Sequence, residues 1–259
     1  MKKLPGIEKE YFGGKGSPGT IQKIVNCIRP CDTLIEAFLG NGTLLRNITP
    51  AIQTIGIDID PLVIRKWKLL DYSWLSLQCD DALSFLAGFD YARSGRTVIY
   101  MDPPYPLESR KSPRNVYACE MTHQQHLHLL AMAKRLPADV LISTYPNEFY
   151  EEHLHGWHRI SFEAHTRHGM AKEWLFTNYQ PGSLRHDYRF TGTDYRERDR
   201  VKKKVKRWIN GLQRLPEQEK RAIFLAMADL KEMKETLAAV TPQSPIAAAT
   251  AISPLQKSS

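Results

Sequence analysis

The residues best suited to chemistry are Asp102-Pro103-Pro104-Tyr105, directly after the apolar run Thr97-Val98-Ile99-Tyr100-Met101. That run is β-branched and aromatic, and it reads as a buried strand. Two prolines stop it, because neither can donate to a sheet ladder. A carboxylate, a stiff turn and an aromatic ring are therefore held at the carboxyl end of a strand. Together they can accept hydrogen bonds from an amino group and stack a flat ring beside it. A second set lies upstream. Gly40-Asn41-Gly42 follows an earlier strand, where glycines let backbone N–H groups approach a ligand with no Cβ in the way. Asp58 closes the next strand, 18 residues after Gly40, the spacing of a carboxylate that holds ribose hydroxyls. Asp81 follows the strand after that. Asp60, just before Pro61, reads instead as a helix cap.

These residues need elements to position them. Ser17-Pro18 opens a helix carrying Ile21, Ile24, Val25 and Ile28 on its apolar face. Strands are expected at 33–38, 53–58, 75–79, 97–101, 140–144, 159–164 and 173–178, the last two joined by a loop containing Gly169. Asp60-Pro61 starts a helix, and Thr122 with Gln125 forms a capping box opening another that runs to Arg135. Such alternation calls for an α/β fold: a doubly wound, mostly parallel sheet of seven strands with helices on both faces. In that architecture, ligands bind at the carboxyl ends of the strands, where the strand order reverses.

From Asp194 the pattern is helical only. Asp194 and Glu197 form a cap pair, and Val201, Val205, Trp208, Ile209, Leu212 and Leu215 recur at helical spacing up to Pro216. A second helix follows from Ala222 to about Leu237, and this pair is expected to dock on the rest of the chain. The tail from Thr241 is rich in Ala, Pro, Ser and Thr and reads as disordered. The expected division is 1–183 for the sheet domain, with 106–121 as a candidate contact loop, 184–240 for a basic helical extension, and 241–259 for the tail.

The 259 residues carry a net charge of +8, are 42% apolar and 25% charged, and contain no run long enough to span a membrane. The charge is uneven: residues 196–207 hold eight Lys or Arg against Glu197 and Asp199. A polyanionic partner fits that excess. The start of the chain, MKKLPGIEKEYFGGKG, lacks an apolar secretion segment, so a cytoplasmic location is expected. Four cysteines (Cys27, Cys31, Cys79, Cys119) and nine histidines match no metal-ligand spacing well, so no metal is expected.

Tyr11-Phe12-Gly13-Gly14-Lys15-Gly16, then Glu36-Ala37-Phe38-Leu39-Gly40-Asn41-Gly42, then Asp102-Pro103-Pro104-Tyr105, resembles the DNA adenine methylases of the Dam-like group in motif order and spacing. Met121-Thr122-x-x-x-His126, Ile142-Ser143-x-Tyr145 and Trp174-Leu175-Phe176-Thr177-Asn178-Tyr179 extend the resemblance over roughly residues 8–180. Ala37 stands where that group often has proline. The resemblance implies a class I methyltransferase, Rossmann-like fold, with S-adenosylmethionine as cofactor and double-stranded DNA, its target adenine flipped, as partner in the nucleoid. It implies cofactor contacts from Tyr11, Phe12, Gly13, Phe38, Gly40, Gly42, Asp58, Asp81 and Asp102. Asp102, Pro103 and Tyr105 are the implied catalytic residues. Lys15 faces either cofactor or nucleic acid.

Many members of the group insert a recognition domain before Asp-Pro-Pro-Tyr, but here only 60 residues separate Gly42 from Asp102. Those residues are taken up by strands and their helices. Reading of the target is left to the 106–121 loop, with Arg110, Lys111 and Arg114, and to Lys202, Lys203, Lys206 and Arg207 of the basic helix. A short or permissive target sequence is expected. The alternatives are amino-methylation of cytosine or of RNA adenine, and a catalytically silent nucleic-acid-binding protein.

Overall fold

The structure, a computed structural model, describes residues 19–110, 117–166 and 169–240. Seven strands, β1 (Thr33–Glu36), β2 (Gln53–Asp58), β3 (Leu75–Cys79), β4 (Thr97–Met101), β5 (Asp139–Thr144), β6 (His158–Thr166) and β7 (Gly169–Thr177), form one sheet in the order β3-β2-β1-β4-β5-β7-β6. All neighbours are parallel except β7, which runs antiparallel to both β5 and β6. The expected doubly wound, mostly parallel, Rossmann-like architecture is the one observed.

Alternation along the central strands explains why both faces are covered. Leu34, Val98, Tyr100 and Leu141 point to one core, beneath α1 (Thr20–Val25) and α2 (Pro61–Lys68). Ile35, Ile99, Met101, Val140 and Ile142 point to the other, beneath α3 (Ala82–Gly88), α4 (His123–Ala133) and α5 (Glu148–His153). A strand buried on both faces reads as a continuous apolar run, as β4 does. The order reverses between β1 and β4, whose ends align Glu36 with Tyr100. Everything that follows these two strands therefore converges on one crevice.

Local signals set several boundaries correctly. Asp60 Oδ1 accepts the Leu62 N–H at 2.8 Å, with Pro61 in the first turn of α2. Thr122 and Gln125 form the reciprocal capping box of α4. Asp194 accepts the Glu197 N–H at 2.8 Å at the start of α6 (Tyr195–Gln213). Other boundaries differ. β1 ends at Glu36 rather than residue 38, because after the Ala37 N–H bonds the Tyr100 carbonyl the chain turns toward the glycines. β6 and β7 are longer than expected, since their hairpin stays in register up to Thr166 opposite Gly169. The first helix begins at Thr20 after Gly19; Ser17 and Pro18 lie outside the described residues.

Two expectations about the carboxyl-terminal part need correction. The helix after Pro216 is broken into α7 (Glu217–Ala228) and α8 (Lys231–Val240). Asp229, a residue type that favours helix ends, stands at the break and pairs with Lys234 at 3.3 Å. The extension does not dock through its apolar stripe: among described residues from 195 to 238 none is buried, and Trp208 is 63% exposed. What does bind the sheet domain is the preceding strap. The His186 N–H donates to the Ile28 carbonyl at 2.8 Å, buried Asp187 accepts from Thr49 N and Oγ1 at 2.8 and 3.0 Å, and Asn26 donates to the Phe190 carbonyl at 2.9 Å. Residues 186–190, just beyond the expected limit at 183, are thus hydrogen-bonded to the sheet domain. The expected tail, 241–259, lies outside the described residues.

Candidate active site

A cleft opens at the carboxyl ends of β1, β2 and β4. Its walls include Phe38, Gly40, Gly42, Asp58, Asp81 and Asp102, so residues from four separate loops meet in one place. The glycine turn is built for close approach. Gly40 and Gly42 sit at φ 45° and 55°, and a Cβ on Gly42 would lie 2.1 Å from the Trp67 ring. Buried Trp67 of α2 holds the turn by donating its indole N–H to the Gly40 carbonyl at 2.9 Å.

Asp58 ties the turn to β2. Its Oδ2 accepts the Gly40 N–H at 2.7 Å and its Oδ1 the Asp60 N–H at 2.9 Å. Each carboxylate oxygen has a second lone pair, so the group can still accept from a ligand hydroxyl. Burial pushes its pKa above the ordinary aspartate value, against the two backbone N–H bonds that pull it down. Asp81 is half-buried at the rim, where Oδ1 also caps α3 through the Ser84 N–H at 2.8 Å. It thus fills both a capping and a cleft-lining position.

Glu36 is the cleft residue to which the sequence reading gave no role. It is 3% exposed at the end of β1, and its Oε2 accepts the Leu45 N–H at 3.1 Å. Desolvation pushes its pKa up to about 8; the Leu45 bond opposes this, while the neighbouring Asp102 and Asp58 reinforce it. The available signal was a single acid closing the otherwise apolar run Leu34-Ile35. At neutral pH the cleft floor therefore carries a largely protonated carboxyl, able to ionise when a cation enters.

Asp102 lies half-buried beside Pro104 on the β4 side of the cleft, while Pro103 is buried. Tyr105 is only 4% exposed, and its ring stands edge-on to Tyr145, centroids 4.5 Å apart and planes at 70°. A base can stack on Tyr105 only after that packing opens. Tyr145, two residues after Ser143, is thereby placed against the Asp-Pro-Pro-Tyr turn, though neither ring lines the cleft.

The candidate nucleic-acid residues separate into three groups. Arg110 pairs with Glu120 at 2.6 Å and its side chain is 7% exposed. Lys202, Lys203, Lys206 and Arg207 are exposed on α6, with Lys203 paired to Asp199 at 2.7 Å. None of them lines the cleft. Tyr11, Phe12, Gly13, Lys15, Lys111 and Arg114 lie outside the described residues. Among the described residues no three His, Cys, Asp or Glu side chains converge as metal ligands. No helix there is long and apolar enough to cross a membrane.

No family model matches the chain, and no curated protein does. Solved structures do. The 23S rRNA methyltransferase ErmE is 16% identical over 64% of this chain and 68% of its own, with a TM-score of 0.40. An rRNA methylase from Streptococcus thermophilus is 10% identical over 60% and 92%, TM-score 0.39. A precorrin 8w decarboxylase from Methanobacterium thermoautotrophicum is 12% identical over 66% and 97%, TM-score 0.41. Proteins of such different names share this degree of likeness, so the reading of the cleft rests on its own residues.

Proposed function

We propose that this chain transfers a methyl group from S-adenosylmethionine to the N6 amino group of adenine in DNA, with the base flipped out of the duplex. The observation that carries this reading is the convergence of the Gly40–Gly42 turn, Asp58, Asp81 and Asp102 on one cleft at the β1/β4 switch point. The donor set suits the cofactor. Asp58 retains acceptor capacity for ribose hydroxyls, Asp81 can accept from an adenine amino group, and Phe38 offers an apolar wall. The glycine turn leaves room that a Cβ would fill. When bound, S-adenosylmethionine supplies an electrophilic methyl group on a sulfonium.

An adenine amino group is a poor nucleophile because its lone pair is delocalised into the ring. The Asp102 carboxylate and the Pro103 carbonyl accept its two N–H bonds, which favours a tetrahedral nitrogen with a localised lone pair. With the cofactor bound, the nitrogen would take the methyl directly as the C–S bond breaks, the neutral thioether leaving with the electron pair and the surplus N–H proton passing to water, so no residue of the chain needs to form a covalent intermediate. Alignment and electrostatics supply most of the acceleration. Extruding the base costs a few kcal/mol, which stacking against aromatic side chains, worth ~1–3 kcal/mol per base, can offset. The exposed cations of α6 add affinity through phosphate contacts, and a short or permissive target sequence accords with the missing insert.

The deciding experiment is labelled methyl transfer to DNA and to RNA, followed by nucleoside analysis. N6-methyladenine in DNA is the expected product. Label in cytosine, or in RNA alone, would replace the substrate assignment. Cofactor binding without transfer to any nucleic acid would leave a silent binding protein. Mapping of the modified adenines then tests target choice, and one long, strictly occupied site would contradict permissive reading.

A further inference from the structure

Arg110 and Glu120 stand at the two ends of the segment that leads from the Asp-Pro-Pro-Tyr turn to α4. Their pairing is bidentate and largely removed from water: Nη1 to Oε1 is 2.9 Å, Nη2 to Oε2 is 2.6 Å, and the side chains are 7% and 17% exposed. The same guanidinium reaches back to the catalytic motif, donating from Nε to the Tyr105 carbonyl at 2.8 Å and from Nη2 to the same oxygen. On the return arm, Glu120 Oε1 accepts the Tyr117 N–H at 3.0 Å, and the guanidinium carbon lies 5.0 Å from the Tyr117 ring centroid. Tyr117, Cys119, Glu120 and Met121 in turn form a wall of the cleft.

A buried ion pair is weak evidence for stability, since well-packed apolar groups of similar volume often do as well. What this pair adds is geometry. Only a planar fork can grip a carboxylate with two N–H bonds and still direct others at a carbonyl. We propose that Arg110 and Glu120 are positioning residues, a clasp that locks the main chain of Tyr105 and the Tyr117–Met121 cleft wall into one unit. The acceptor side of the site and the wall facing it are then shaped together. This role rests on the methyl-transfer reading of the cleft and goes beyond it by assigning a function to the loop ends.

The test uses the full chain with Arg110→Lys, Arg110→Met and Glu120→Gln, each checked for folding by its melting curve. At saturating cofactor and DNA, the single-turnover methyl-transfer rate of Arg110→Met and Glu120→Gln is expected to fall between about tenfold and a hundredfold, the cost of sub-ångström misplacement. Arg110→Lys, a point charge without the fork, recovers only part of it. The salt dependence of DNA affinity stays parental. Folded variants that turn over at the parental rate would overturn the clasp. So would a loss confined to DNA affinity with a shallower salt slope, which would make Arg110 a plain phosphate contact. Hydrogen exchange supplies a readout independent of activity: Arg110→Met should speed exchange in residues 105–110 and 117–121 together. If the parental chain methylates no nucleic acid, the functional reading fails, and the exchange result still decides the clasp. Joint loosening supports it, and loosening of one segment or neither refutes it.

Discussion

Replacing Glu36 with glutamine isolates the protonation of the cleft floor. The wild-type carboxyl has a folded pKa of about 8, set first by burial, against an ordinary value of 4.5. The native state therefore holds a proton that the unfolded chain releases, and the sign follows from linkage. Between pH 4.5 and pH 8 the stability from this group falls as pH rises, with a limiting slope of roughly 1.4 kcal/mol per pH unit. It is fully present below pH 4.5 and lost as pH passes about 8. Summed over that window the loss is of the order of 4–5 kcal/mol, a large share of the 5–15 kcal/mol total of a typical domain. Glutamine keeps the shape and can still accept the Leu45 N–H, but it cannot ionise. Urea unfolding followed by circular dichroism from pH 5 to pH 9 reads the difference. The Glu36→Gln curve should lie close to wild type at pH 5 and rise progressively above it toward pH 9. Curves that stay parallel across the range would show that Glu36 titrates normally, and the account of a neutral cleft floor would be wrong. The same proton bears on ligand choice: a sulfonium should bind more tightly as pH rises and Glu36 ionises, whereas its neutral thioether product should not.

Asp102→Ala should lower methyl transfer by at least about 10²–10³-fold, the scale for removing one preorganised polar partner of a reacting group; steady-state kinetics beside a cofactor-binding titration checks that the loss lies in turnover. Gly42→Ala forces a left-handed backbone and a 2.1 Å approach to Trp67, so it should destabilise the chain by about 1–3 kcal/mol and weaken cofactor binding, as read by unfolding and calorimetry. Removing residues 194–259 should leave the cleft folded and reduce the salt dependence of DNA affinity, by about 0.9 in logarithmic slope for each phosphate that α6 no longer neutralises; an unchanged slope would remove α6 from the nucleic-acid interface. Ending the chain at 183 should instead lower the melting temperature, because Asp187 and its bonds from Thr49 are lost. Desolvation alone would raise the Asp187 pKa, but hydrogen bonds from Arg189 and Thr49 outweigh it and hold the carboxyl below its ordinary value. Its contribution is present above the unfolded pKa and is lost as pH falls through the folded one, so an Asp187→Asn variant should lie closest to wild type in acid.

The sequence alone determined what depends on neighbours along the chain. β2 and β4 could be bounded to the residue because a buried run ends where Asp, Pro or a polar turn begins, and β3, with no buried residue, because the strand ends at the polar pair Asp80-Asp81. The caps at Asp60, Thr122 and Asp194 were legible because a cap needs only residues two or three positions away. The order of the glycine turn, Asp58, Asp81 and Asp102 after successive strands was enough to forecast a shared crevice. Tertiary structure decided everything whose partner is remote. Glu36 acquires its raised pKa from burial and from Asp102 and Asp58, which no local window contains. Arg110 looked like a free cation until Glu120 was brought back against it. The stripe of Val205, Trp208 and Ile209 has the periodicity of a docked helix and yet stays exposed, while the uncharacteristic strap of His186 and Asp187 is what binds the sheet domain. Periodicity records which residues share a face; which surface meets that face, and which charges lose their water there, is set only when distant segments pack.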